Sequence, residues 1–305
     1  MKIMDLNYGL RAKKIKPKIE LHIKKRKLKN TLAYILVLLA TLISVVMLFI
    51  LTYDIALKGL PWISKEFFSN FPSRFAADSG IKPALTGSIW IILLTVAFSV
   101  PVGVCAAIYL EEYAKNNWFT RLIKINIANL AGVPSIVYGI LGLTVFVRAL
   151  GLGRSIVAGA LTMALLVLPI IIVASQEAIK NVPQSLKNGS YALGATQMQT
   201  IFTIVIPYSL PGILTGIILA VSRALGETAT LLIVGAFSFI RFLPKGIMDS
   251  FTVLPIQIYV WAGKPQEDFR NIAAAGIIVL LALLLVTNAL AIILRNKYQK
   301  RAEVD

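Results

Sequence analysis

The chain has 305 residues, 57% of them apolar, yet carries a formal net charge of +17, with a mean hydropathy of +0.79. A soluble domain of this length rarely combines the two, so the charge must be segregated from the apolar mass. One histidine (His22) and one cysteine (Cys105) exclude an internal disulfide and leave no His, Cys and carboxylate cluster for a transition metal, so neither metal nor cofactor is expected.

In chain order, residues 1–30 form a basic tail holding 11 of the 31 Lys and Arg residues. Lys24-Lys25-Arg26-Lys27 face only Asp5 and Glu20, which suits either a solvated topology anchor or a segment lying on the anionic inner leaflet, and needs no nucleic acid. An apolar run over 31–53 reads as a retained first transmembrane helix, followed by an external loop over 54–83. The core, 84–294, has further runs long enough to span at 84–110, 126–147, 155–175, 208–240 and 272–294, and 295–305 is a short tail. The predicted fold is therefore all-α, with six transmembrane helices. The tail, the loops at 111–125 and 176–200 and the C-terminus hold 20 Lys and Arg against 10 in the other loops, which predicts both termini in the cytoplasm. Trp62, Phe67, Phe68, Phe71, Tyr259 and Trp261 in the outer loops suit segments at the lipid interface or docking an outside partner. The phosphate-cradling Gly-x-x-x-x-Gly-Lys-Ser/Thr loop does not occur, so any ATP is handled by another polypeptide and the chain is not expected to be an enzyme.

The fifth run breaks the apolar rule with Arg223 and Glu227, four residues apart and predicted to share one helical face near mid-membrane depth. Facing lipid, each would cost about 2.5–3.5 kcal/mol, so both should face the bundle interior or a water-filled cavity. Two readings follow: a buried ion pair that fixes packing, or a guanidinium offered to a tetrahedral oxyanion, with Glu227 holding it between transport events or taking a proton from the anion. Gly226 between them is expected to admit another backbone. In the third run Pro134 should free backbone carbonyls, and Ser135 and Tyr138 offer hydroxyls either to a substrate or to a neighbouring helix. Gly212 and Gly216 predict close helix packing. The segment at about 176–203, between the fourth and fifth runs, reads as two short helices joined at Gly194, either a compact element suited to docking a partner or a simple connecting loop.

In this segment the sequence resembles the permease subunits of bacterial ATP-binding-cassette (ABC) importers, type I. Their signature runs Glu-Ala-Ala, three residues, Gly, nine residues, Ile, one residue, Leu-Pro. Here Asn188, Gly189 and Ser190 occupy the first triplet, Gly194 keeps its spacing, and Ile204, Ile206 and Pro207 close the motif. The acidic position is thus Asn188. Within that superfamily the chain is most similar to the PstA-type subunit of phosphate-specific (Pst) transporters, over most of 84–300. The segments from Pro134 to Gly139, Arg223 to Ala229, Leu254 to Tyr259 and Pro265 to Arg270 carry this resemblance. It implies a PstC-type second permease subunit, two PstB-type ATPase subunits, an external PstS-type phosphate-binding protein and a place in the bacterial plasma (inner) membrane. It also implies that Asn188, Gly189, Ser190 and Gly194 couple to the ATPase, and that phosphate passes Arg223 with Glu227, Ser135 and Tyr138 on its path. The competing readings are a permease for sulfate or molybdate, and a membrane sensor or scaffold that transports nothing.

Overall fold

The computed structural model describes the backbone of residues 2–236 and 239–302, with side chains for 26–236 and 239–297; among these the protein is helical, without strands. Two compact units divide at Asp54 and Ile55. The first is formed by helix α1, Lys2–Gly59, whose final residues belong to the second unit. The side chains of the tail that carry Asp5, Glu20, His22, Lys24 and Lys25 lie outside the described ones. Within α1, the hydroxyls of Thr31, Thr41, Ser44 and Thr52 donate to the carbonyl four residues back, at 2.8–3.0 Å. Each polar group is thereby satisfied inside its own helix, as a segment facing hydrocarbon requires.

The second unit continues with α2 (Lys65–Ser69), then α3 (Lys82–Ile108), which ends in a wide turn over Tyr109–Tyr113. Next come α4 (Trp118–Leu130), α5 (Ser135–Gly142, prolonged by Leu143–Ala149) and α6 (Ile156–Lys180). Short α7 (Gln184–Ala192) and α8 (Gln197–Thr200) follow; α8 runs through Ile201–Val205 into α9 (Ile206–Gly226). The unit closes with α10 (Ala229–Val234), α11 (Leu254–Ala262) and α12 (Glu267–Ala302). Among the described residues five helices are long and apolar enough to cross a membrane, and six if α4 and α5 count as one span.

Helix α6 is the axis, packed against α3, α5, α9 and α10. Small residues allow this. A Cβ at Gly212 of α9 would lie 2.6 Å from the Ala178 Cβ, and one at Gly216 would clash with Ala174, so the predicted close contact is made with α6. Ser222 of α9 donates to Asn288 Oδ1 of α12 at 2.7 Å. Beyond the start of α6, the Asp249 and Ile247 carbonyls accept the Ile156 and Val157 amides, and the Asp249 carboxylate accepts the Lys245 and Gly246 amides at 2.7 and 2.9 Å. Those two amide bonds hold its carboxyl below the usual range.

Three expectations change. The run at 126–147 is not a straight span: α4 and α5 meet at 101° across 131–134, because Pro134 has no amide to continue the ladder and the chain turns through Gly132 N–H to Asn129 O and Val133 N–H to Leu130 O. The run at 208–240 breaks after Gly226 and resumes as α10, which ends at Gly235 with φ +107; residues 237–238 lie outside the described ones. The aromatics expected at the lipid interface divide. Phe67 and Trp261 are buried with ring centroids 6.1 Å apart, holding α2 against α11, while Phe68 and Tyr259 stay exposed.

Candidate functional site

The two breaks face one another. α9 ends because Glu227 adopts an extended backbone (φ −74, ψ 122), and its carboxylate oxygen accepts the Thr230 amide at 3.2 Å, opening α10. The Thr230 hydroxyl lies 3.1 Å from the same oxygen and 3.0 Å from the Ser135 carbonyl, so its single proton serves one of the two. Ser135 is the first residue of α5, and the α5–α10 contact is close enough that a Cβ at Gly139 would sit 3.0 Å from the Ile233 Cβ. Tyr138 is buried and donates its hydroxyl to the Leu130 carbonyl at 2.8 Å, satisfying an acceptor freed at the end of α4.

Arg223 departs from the first of its two readings. It shares no continuous helix with Glu227 and forms no ion pair or hydrogen bond among the described residues; it is exposed on α9. Gly226 is open as well: among the described residues a Cβ there would meet nothing within 4 Å, so none of them makes the backbone approach expected at it. The cavity that Glu227 helps to line, with Ser88, Ile91 and Leu225, has a volume of ≈ 10 Å³. That is room for about one water and not for an oxyanion. Ser135, Tyr138, Arg223 and Glu227 therefore surround the breaks, and the one cavity described at them is too small to be a substrate chamber.

At the end of the bundle remote from the Asp249 loop, α7 and α8 form the predicted pair of short helices, joined at Gly194 with φ +85. The first residues of the expected segment, through Lys180, belong to α6, and its last are continuous with α9. A capping box of Thr196 and Gln199 starts α8. Asn188 and Gly189 are exposed, whereas Ser190 is buried against the Thr200 hydroxyl at 2.9 Å and clasps the two helices together. Leu193 at the tip is 91% exposed, flanked by exposed Leu186, Tyr191 and Met198.

Beneath this tip lie two residues that sequence reasoning missed. Glu112, in the wide turn after α3, pairs with Lys187 of α7 at 2.5 Å, the two side chains being only 7% and 11% exposed. Its carbonyl accepts from Gln197 at 2.6 Å. Glu111 receives Lys124 of α4 at 2.8 Å and Gln176 of α6 at 3.0 Å. The signal was an adjacent carboxylate pair closing an apolar run.

Comparison with known proteins defines the class. Residues 99–300 match the family described as binding-protein-dependent transport system inner membrane component. The chain belongs to that family, the permease subunits of ABC importers. It is 33% identical over 266 residues to the "Probable ABC transporter permease protein YqgI" of Bacillus subtilis, covering 83% of this chain and 90% of that one. It is 32% identical over 267 residues to the phosphate transport system permease protein PstA of Yersinia pestis, covering 87% and 90%. Its fold matches a chain of a bacterial alginate ABC transporter crystallised with its pentasaccharide-bound periplasmic protein, at TM-score 0.64, 14% identity and coverage of 86% and 93%.

Proposed function

We propose that this permease is the PstA-type subunit of an importer for inorganic phosphate in the bacterial plasma membrane, with both termini cytoplasmic. Its similarity to a phosphate transport permease over 87% of the chain supports the substrate, and one structural observation carries the anion chemistry: Arg223 stands unpaired on an open face of α9 beside a helix break. A guanidinium there gives a tetrahedral oxyanion a forked, charge-assisted donor. Glu227 supplies an acceptor for a protonated phosphate, which sulfate and molybdate do not need. The chamber is completed by a second permease subunit, since the cavity that Glu227 lines is too small for an oxyanion. ATP is hydrolysed on partner ATPase subunits that receive the exposed α7–α8 tip through Leu193, Asn188 and Gly189, with the hinge at Gly194, and phosphate is delivered by an external binding protein.

The test is ATP-dependent uptake of labelled phosphate by vesicles holding the complete complex, with sulfate and molybdate as competitors. Uptake should resist both competitors and fall by about tenfold or more in Arg223→Ala, the cost of one charge-assisted contact. Undiminished uptake in an assembled Arg223→Ala complex would make Arg223 a packing charge. Transport of a competitor in place of phosphate would move the chain to a sister specificity.

A further inference from the structure

We infer that Glu111 and Glu112 form the joint through which movement of the α7–α8 element reaches the spans, with the Glu112–Lys187 pair as its pin. The inference rests on the reading that α7–α8 docks an ATPase. That element has two covalent routes into the bundle, back to α6 through residues 181–183 and on to α9 through Ile201–Val205. The end of α3 and α4 have no such route and must be moved by contact. Glu112 ties the end of α3 to α7 through Lys187 and to α8 through Gln197, while Glu111 ties the same turn to α4 through Lys124 and to α6 through Gln176. One two-residue step of chain thus joins five helices.

The energetics favour a positioning role over a stabilising one. A pair this deeply buried spends most of its Coulombic attraction on desolvation, and apolar residues of equal volume would hold the fold as well. What the pair adds is directional: Lys187 cannot leave Glu112 without stranding a buried charge, so displacement of α7 drags α3, and α3 packs along α6. Without the pin, α7 and α8 pull α6 and α9 directly, and α3 with α4 follows only through packing. The ATPase would then cycle with those two helices poorly coupled to it.

The experiment measures phosphate taken up per ATP hydrolysed in the reconstituted complex, with a Leu193→Cys cross-link to the ATPase followed in every variant. Glu112→Gln should keep the cross-link and lower the ratio at least about fivefold, the lower range of coupling between sites. Glu112→Lys alone should do the same, and adding Lys187→Glu should restore the ratio to within about twofold of wild type, since the pair is remade in reverse. Lys180→Gln, which opens the exposed Lys180–Glu177 pair, should change nothing. An unchanged ratio in Glu112→Gln overturns the inference, as does a double charge swap no better than Glu112→Lys. A packing contact would lower assembly and leave the ratio intact, which also overturns it. Failure of the Leu193→Cys cross-link in an otherwise wild-type complex overturns the docking reading itself, and is seen before any Glu112 variant is made.

Discussion

A guanidinium and a carboxylate four positions apart in an apolar run ordinarily neutralise each other, yet Glu227 accepts the Thr230 amide and Arg223 has no ion pair or hydrogen bond among the described residues. The sequence made both charges conspicuous, because nothing else in that run is ionised. Their separation was illegible, because the break depends on Thr230 and on Ser135, 95 residues away from it along the chain. Glu227 therefore has two separable roles, cap and charge. Glu227→Gln keeps an oxygen to accept the Thr230 amide and removes the charge, whereas Glu227→Ala removes both. The expected outcome is that the alanine variant alone loses about 1 kcal/mol of stability to thermal or denaturant unfolding, the worth of one hydrogen bond. Both variants should lose phosphate uptake if the charge serves transport. Equal stability of the two would remove the capping role, and normal uptake by the glutamine variant would remove the charge role. Tyr138 shows the opposite limit of sequence reading: its hydroxyl was visible, but only the fold reveals that the Leu130 carbonyl occupies it.

Among the elements, those set by local chemistry were readable. Pro134 stops α4, Gly194 turns α7 into α8, and Gly212 and Gly216 bring α9 onto α6. The 101° bend between α4 and α5 was not readable, because proline removes a donor without choosing the new direction, and that direction comes from α5 packing on α10. Nor was burial of Phe67 and Trp261 readable, since an aromatic in an outer loop serves equally at a lipid surface or in a core. The α6–α9 contact gives a direct test of the packing argument. Gly216→Val drives its branched side chain into Ala174 and should destabilise the protein by about 1–3 kcal/mol, the usual cost of overpacking. Combining it with Ala174→Gly should recover part of that loss, a coupling that two independent sites would lack. Thermal unfolding of the purified protein, wild type against the single and double variants, reads both values. Strict additivity would mean that the helices do not meet at these residues.

For the molecule as a whole, composition and spacing gave the span number and the segregation of charge, because hydrocarbon imposes those constraints on each segment separately. Which helix faces pair is a collective property, and one face of α9 remains open: Leu219 is 61% exposed, Arg223 is exposed, and Gly226 meets nothing. Arg223 lies in the last turn of α9, and a guanidinium facing lipid at mid-depth would cost about 2.5–3.5 kcal/mol. Water or a second subunit over that face would remove the cost. With the exposed Cys105 replaced by serine, a cysteine at 223 in the full complex should react with a membrane-impermeant thiol reagent, and its rate should change when ATP is supplied. A cysteine at Leu285 of α12, 64% exposed in this chain, should resist the same reagent if that surface faces lipid. A rate at 223 as low as at 285, with and without ATP, would remove α9 from the water-filled path. The transported substrate would then have to cross along another face, and Arg223 would belong to the contact between subunits.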